Sequence, residues 1–330
     1  MPPNAATLAQ FLRDACAATT VNISDIKLLS GGAIQQNWQL DVAITGGARP
    51  GVHTWVLRTD APATVEASLP RSREFAIIRF AHEQGLHAPK PFFLCEDPTV
   101  IGQPFFVMEK LPGIATGHRV VRLDLDRPSL ARELAQAAAR IHAIRPPLRE
   151  LPFLRTCLAR DVIAACREYL DALDEPHPVL EWGLRWCERR VPAKEETTFV
   201  HRDFRTGNYL VHDGKLAGLL DWEFAALGNP LEDIGWICAK CWCFRHEHHI
   251  VGGVADLDDF IPAYEAASGR KVPPDDLRYW QVMAHIRWAI IALQQSRRHL
   301  SGVEPSLELA LTGKIIAELE WEVLALTDAT

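Results

Sequence analysis

His201-Arg202-Asp203-Phe204-Arg205-Thr206-Gly207-Asn208 is followed, thirteen residues beyond Asn208, by Asp221-Trp222-Glu223. Four residues of loop separate Asp203 from Asn208, enough for both side chains to point into one cleft. The apolar run and turn from Tyr209 to Leu220 reads as strand-turn-strand, which would return Asp221 to the same place. Phosphoryl transfer asks little covalent chemistry of a protein. It needs a carboxylate to orient the attacking hydroxyl and hard oxygen ligands to hold magnesium against the phosphates. Asp203 fits the first task, Asn208 and Asp221 fit the second, and Glu223 is a candidate second metal contact.

Working outward, the residues before this segment divide into two patterns. Leu8, Phe11, Leu12 and Ala15 recur at helical spacing. Runs 25–30, 36–44 and 53–58 then read as strands, broken by Gly31-Gly32 and Gly46-Gly47. A helix is expected after Pro70, with Phe75, Ile78 and Ala81 on one face, and strands around 92–94 and 105–108. Leu111-Pro112-Gly113 reads as a linker. Beyond it, 128–144, 154–173 and 179–190 read as helices, and helical periodicity dominates again from Leu231 onward. The expectation is an α+β, bilobal chain. Residues 1–110 form a small β-rich N-lobe and 111–330 a larger, mainly helical C-lobe.

The segment Phe199 to Asn208, with Leu219-Leu220-Asp221-Trp222-Glu223 and the stretch Leu227-Gly228-Asn229-Pro230-Leu231-Glu232-Asp233-Ile234-Gly235-Trp236, resembles the aminoglycoside phosphotransferase family. Within it, the similarity is to the branch of kinase domains associated with acyl-CoA dehydrogenases, and runs from about Leu29 to Trp236. The resemblance implies a protein-kinase-like fold, Asp203 as the catalytic residue, and Asn208 and Asp221 as metal ligands. Members often carry Gly where this chain has Arg202, and Asp where it has Asn229. Neither position normally touches the transferring phosphate.

In such a fold the front lobe clamps the nucleotide. Gly31 and Gly32, in Ser30-Gly31-Gly32-Ala33-Ile34-Gln35-Gln36-Asn37, would let backbone N–H groups approach phosphate oxygens. Arg58 stands on the third strand where protein kinases carry a lysine for the α- and β-phosphates, and Glu74 on the following helix is its expected partner. Arginine keeps the charge but grips phosphate with a different geometry. Met108, Glu109 and Lys110 occupy the hinge, whose backbone would meet the adenine edge. Asp233 is expected to brace the catalytic loop by accepting backbone N–H bonds.

Composition narrows the alternatives. The chain has 330 residues, 48% hydrophobic and 23% charged, a globular balance. Its net charge of -7 argues against nucleic acid as a partner. No basic-then-apolar start is present, and the apolar stretch from Val282 to Leu293 contains His285 and Arg287, so no membrane segment and a cytoplasmic protein are expected. Eight scattered cysteines read as reduced thiols. Cys238, Cys241 and Cys243, followed by His246, His248 and His249, raise the alternative of a zinc-binding interaction module. If Ile234 to Phe244 is one helix, however, Cys243 points away from the other two, and buried free thiols are the plainer reading.

The reading is therefore an ATP-dependent, magnesium-dependent kinase that phosphorylates a hydroxyl of a small molecule. The alternative is a nucleotide-binding pseudokinase scaffold, against which stand Asp203, Asn208 and Asp221 together. Trp236, His285 and Arg287 are candidate acceptor contacts. Lys240 to Leu300, where the acceptor surface should lie, holds eight Lys or Arg, seven Asp or Glu and five His. A polycationic aminoglycoside would require an acidic excess there. A neutral or anionic acceptor, such as a hydroxylated acyl thioester, and a functional link to an acyl-CoA dehydrogenase follow from the resemblance.

Overall fold

Period-two alternation makes Gln35–Thr45 the strand on which the first part of the chain is built: Trp38, Leu40, Val42 and Ile44 share one face and are buried. The computed structural model describes residues 2–29, 35–60, 69–193, 196–302 and 304–327. By its internal contacts the chain divides into two units. One comprises Met1–Pro112 with Ala217–Phe224, the other Gly113–Leu216 with Ala225–Thr330.

In the first unit, helix α1 (Ala5–Ala15) precedes strands β1 (Thr20–Leu28), β2 (Gln35–Thr45) and β3 (Gly51–Asp60), then helix α2 (Arg71–Glu83) and strands β4 (Pro91–Cys95) and β5 (Phe105–Glu109). The five strands form one antiparallel sheet in the order β1-β2-β3-β5-β4. Register places Leu57 opposite both Trp38 and Val107, so the central three strands present their apolar residues to one core. Leu8 and Leu12 of α1 close that core. The Asn4 side chain caps α1 by accepting from Ala6 N at 2.9 Å. The first strand begins at Thr20, ahead of the expected 25–30. Its burial pattern shows little of the alternation on which that expectation relied.

The second unit contains helices α3 (Gly117–Val120) and α4 (Arg127–His142), strand β6 (Thr156–Cys157), helices α5 (Ala159–Asp171) and α6 (Pro178–Arg189), and strands β7 (Thr198–Val200) and β8 (Tyr209–His212). Strand β9 (Lys215–Leu219) starts where this part of the unit ends, and the 3-10 turn Trp222–Phe224 that follows it belongs to the first unit. Strand β10 (Ala226–Gly228) lies between β6 and β7, parallel to the first and antiparallel to the second. Helices α7 (Pro230–Ile237), α8 (Leu257–Ser268), α9 (Pro274–Leu300), α10 (Leu307–Lys314) and α11 (Ile316–Thr327) follow.

The 27-residue α9 is the spine of this unit, with α6, α7, α10 and α11 packed on it. Gly235 permits the closest of these approaches, because a Cβ there would lie 2.4 Å from Cβ of Trp280. Among the described residues no helix is long and apolar enough to cross a membrane.

Two helix expectations need correction. Residues 154–158 are not helical: Thr156 and Cys157 form β6, drawn into parallel pairing with Leu227 and Gly228. Ile234 to Phe244 is not one helix either. It stops at Ile237, whose carbonyl accepts from Gly252 N at 2.9 Å, and Ala239 adopts an extended conformation before a separate 3-10 turn, Lys240–Trp242. A loop far along the chain thus satisfies the helix end.

Candidate active site

In the second unit the loop between β7 and β8 carries the motif. Its entry strand is fully buried, with Thr198, Phe199 and Val200 all below one per cent exposure. Asp233, in the first turn of α7, accepts from His201 N at 2.8 Å and Arg202 N at 2.6 Å. It also meets His142 Nε2 at 3.1 Å, while His142 Nδ1 bonds the Tyr264 hydroxyl at 2.8 Å. Burial alone would raise the Asp233 pKa. The hydrogen bond and charge of His142, with those of His201, outweigh it and hold the carboxyl below its usual range. Asp233 therefore braces the loop as a carboxylate. Asn229 starts α7 by accepting from Leu231 N at 2.9 Å, so the helix end that presents Asp233 is itself capped.

Arg202, with φ +63, is forced into the left-handed region, and the next residue is Asp203. Both carboxylate oxygens of Asp203 are held. Oδ1 accepts from Trp236 Nε1 at 2.8 Å and from Arg205 Nε at 2.9 Å, and Oδ2 accepts from Asn208 Nδ2. Asn208 Nδ2 also reaches the Asp203 carbonyl at 3.0 Å. Gly207, at φ +111, supplies the backbone turn that folds Asn208 back. Thr206 pins the far side of the loop, bonding Tyr209 Oη at 2.7 Å and the Gly252 carbonyl at 2.6 Å.

In the first unit four of the expected residues come together. Arg58, only 4% exposed, pairs through Nε with Glu74 Oε1 at 2.8 Å and through Nη1 with Asp221 Oδ1 at 2.7 Å. Asp221 also sits in the left-handed region, at φ +59. A second arginine, Arg71, completes the network and was not anticipated. It is fully buried, pairs with Asp60 at 3.0 Å, with Glu74 through Nη1, and lies 3.6 Å from Glu223. Glu223 also accepts from Gln35 Nε2. One signal for Arg71 existed in the sequence. A basic residue in the first turn of a helix opposes the helix dipole, and its presence after Pro70 calls for a specific carboxylate partner.

Two arginines thus face four carboxylates, Asp60, Glu74, Asp221 and Glu223. Burial pushes the Glu223 pKa up to about 7; Arg58 opposes that, while Glu74 and Asp221 add to it.

Residues 25–278 match the profile of the phosphotransferase enzyme family. The chain belongs to that family. The acyl-CoA dehydrogenase family member 10 of Mus musculus is 28% identical over 276 residues, covering 76% of this chain and 25% of that protein. The probable acyl-CoA dehydrogenase IBR3 of Arabidopsis thaliana is 25% identical over 331 residues, covering 89% and 39%. The chain therefore spans well under half the length of these two relatives. A crystal structure of a Ralstonia eutropha JMP134 protein assigned to the aminoglycoside phosphotransferases superposes with a TM-score of 0.76 at 20% identity, covering 99% of this chain and 98% of that one. The fold is the kinase-like fold of aminoglycoside phosphotransferases, and the chain's class is that of small-molecule kinases.

Two of the residues expected to hold magnesium, one in each unit, keep oxygen atoms available. Asn208 commits its amide N–H groups to Asp203, which leaves its carbonyl oxygen as the available ligand atom. Asp221 offers a partly exposed carboxylate, and the surplus of carboxylates over arginines around it suits a divalent cation.

Gly31 and Gly32 fall outside the described residues. Met108 and Glu109 end β5, where Glu109 N already donates to the Lys90 carbonyl at 2.8 Å, and Lys110 follows the strand. Trp236 is 2% exposed with its N–H on Asp203, and the Arg287 guanidinium covers its ring at 4.6 Å. His285 is 1% exposed, bonds the Gln281 carbonyl within α9 at 2.7 Å, and burial lowers its pKa. Cys238, Cys241 and Cys243 are free thiols. Among the described residues no group of three or more His, Cys, Asp or Glu is placed to hold a metal ion. Burial pushes the Cys243 thiol up to about 12, which disfavours the thiolate a zinc site needs.

Proposed function

We propose that this chain transfers the γ-phosphate of ATP, with magnesium, to a hydroxyl of a small molecule. Asp203 orients the attacking hydroxyl and accepts its proton. The observation that carries this reading is the hold on Asp203: three donors fix the carboxylate, and Asp233 fixes the backbone that leads to it. A carboxylate so constrained is suited to aiming a reacting group. Asn208 and Asp221 hold the cation, with Glu223 as a second contact. Magnesium would neutralise charge developing on the transferred phosphoryl group.

Arg58 binds the nucleotide phosphates, with Glu74 setting its direction. Gly31 and Gly32 approach the same phosphates, and the backbone after Glu109 meets the adenine. On this reading residues 1–110 clamp the nucleotide and 111–330 supply the catalytic loop, metal ligands and acceptor helices. The acceptor is neutral or anionic, and the names of the relatives favour a hydroxylated acyl thioester and a working link to an acyl-CoA dehydrogenase. A screen of hydroxylated acceptors with γ-labelled ATP tests the reading. Label transfer that requires magnesium and disappears in Asp203→Asn supports it. ATP binding without transfer to any acceptor, in a protein that retains label only as ATP, would favour the scaffold alternative.

A further inference from the structure

A cavity of about 290 Å³ lies within the second unit, between α5 and α9, with Arg202 and Arg287 in its wall. Its apolar lining comes from Val162, Ile290 and Ile291, with Ala165 on the α5 side. Its size is at the lower end of small-molecule sites.

Two guanidiniums converge beside this cavity. Glu232 is 2% exposed, and a single oxygen of its carboxylate serves two guanidiniums: Oε1 accepts from Arg202 Nε at 3.0 Å and from Arg287 Nη1 at 2.5 Å. Two guanidiniums therefore share one carboxylate oxygen in a poorly solvated place, with the charges of Asp233 and Asp203 contributing beyond it. Burial lowers the Arg287 pKa, Glu232 opposes that, and neighbouring Arg202 adds to it.

The remaining lining supplies donors in preference to acceptors. The side chain of Arg202 makes its hydrogen bond through Nε alone, so Nη1 and Nη2 have no protein partner among the described residues. The Tyr169 hydroxyl lines the cavity, buried and also unpartnered. Burial pushes the Cys166 thiol up to about 11, so it brings no negative charge. The one carboxylate in the lining is Asp161, an exposed residue whose Oδ2 accepts from Leu158 N at 2.9 Å, where solvent screens it.

We propose that this cavity binds a small carboxylate with a short apolar body, the carboxylate on Arg202 and Arg287 and the body against Val162, Ile290 and Ile291. An added carboxylate gives Nη1 and Nη2 of Arg202 the acceptor that the cavity lining does not supply. Guanidinium forks match carboxylate geometry, and the apolar walls reject a bare inorganic ion. The site communicates with the catalytic loop by two short routes. Arg202 immediately precedes Asp203, and Arg287 lies over Trp236, whose indole N–H holds Asp203. The proposal needs no nucleotide and stands apart from phosphoryl transfer.

Calorimetric titration of the full chain with 4-methylpentanoate, without nucleotide, tests it. Saturable one-site binding is expected, with 4-methylpentanamide at least tenfold weaker and inorganic phosphate unable to displace the carboxylate. Arg287→Leu should abolish binding. Ala165→Phe, a change at an exposed helix position that fills the cavity and leaves its charges alone, should abolish it as well and guards against a misfolded arginine variant. Absence of binding, equal binding of the amide, displacement by phosphate, or full binding in folded Ala165→Phe each overturns the proposal.

Discussion

Trp236 donates its indole N–H to Oδ1 of Asp203 at 2.8 Å. The bond joins the last turn of α7 to the loop after β7, and the Arg287 guanidinium covers the indole face at 4.6 Å. A buried tryptophan is ordinarily read as core. This one is also a fixed donor to the carboxylate on which the proposed chemistry turns. Trp236→Phe keeps an aromatic side chain, though a smaller one, and removes that donor. A hydrogen bond to a charged group contributes about 1.5–3 kcal/mol, so turnover is expected to fall roughly ten- to a hundredfold. The Michaelis constant for ATP should stay within about twofold, because the lost bond concerns orientation and not nucleotide affinity. A rise in that constant with unchanged turnover would contradict the assignment.

Asp203→Asn and Asp221→Ala should separate the two roles. The first removes the group proposed to take the hydroxyl proton and should leave magnesium-nucleotide binding nearly intact. The second removes a charged cation ligand and the partner of Arg58, so magnesium-ATP affinity should drop at least tenfold. Calorimetry with Mg-ATP on both variants checks the contrast. Equal losses of affinity would show that the roles are wrongly divided.

Arg58 and Arg71 share Glu74 and are expected to differ in effect. Arg58→Ala should raise the apparent Michaelis constant for ATP and lower turnover. Arg71→Met strips a fully buried cation from three carboxylates, Asp60, Glu74 and Glu223. Breaking a buried ion pair costs about 3–5 kcal/mol, which corresponds to a fall in melting temperature of roughly 10 °C for a chain of this size. Thermal melts of the two variants distinguish a nucleotide contact from a structural tie.

The first unit was largely legible because its strands carry their own signal: Trp38, Leu40, Val42 and Ile44 alternate, and apolar runs at 53–58 and 105–108 fall inside β3 and β5. That Asp203 and Asn208 meet was legible through their spacing, since they bond each other across one turn of loop. What could not be read depends on residues distant in the chain. Strand β6 exists because β10 pairs with it, and α7 ends where Gly252 reaches Ile237. Arg71 looks like an ordinary helix residue until Glu223 is placed beside it, and Trp236, read as a candidate acceptor contact, gives no sign in the sequence of its bond to Asp203.

Asp233→Asn should weaken the fold in a pH-dependent way. The Asp233 carboxyl has a folded-state pKa held below its unfolded value, so its stabilisation is complete above the unfolded pKa, near 4, and is lost as pH falls through the folded pKa. The amide of asparagine would accept one of the two backbone N–H groups of His201 and Arg202 and present its own N–H to the other. The expected loss is about 3 kcal/mol at neutral pH. Urea melts from pH 7 down to pH 3 should show the difference between the parent and Asp233→Asn shrinking towards the acid end. A constant difference would mean that the carboxylate charge is not what holds the loop.

The last prediction concerns the acceptor: kanamycin-type aminoglycosides should be poor substrates. A polycation needs carboxylates gathered around the reacting group, to attract it and to orient its hydroxyl. Around Asp203 the second unit instead gathers cations. Arg205 bonds Asp203 directly and stacks over Trp242 at 4.3 Å, and Arg202 and Arg287 share Glu232. Three acids of the region are engaged elsewhere. Asp256 pairs with His249 at 2.9 Å, Asp275 with Arg278 at 2.6 Å, and Glu265 with Lys271 at 2.7 Å while also accepting from Val272 N. Each of these contacts is satisfied within the protein, so none is presented to an ammonium group without first breaking an ion pair. Neutral or anionic acceptors, including hydroxyacyl thioesters, meet no such barrier, and their reaction should weaken with rising salt if the arginines contribute to capture. Steady-state kinetics of both acceptor classes at two ionic strengths decide the matter. Efficient turnover of an aminoglycoside, saturating at micromolar concentration, would show that the charge around Asp203 does not select the acceptor.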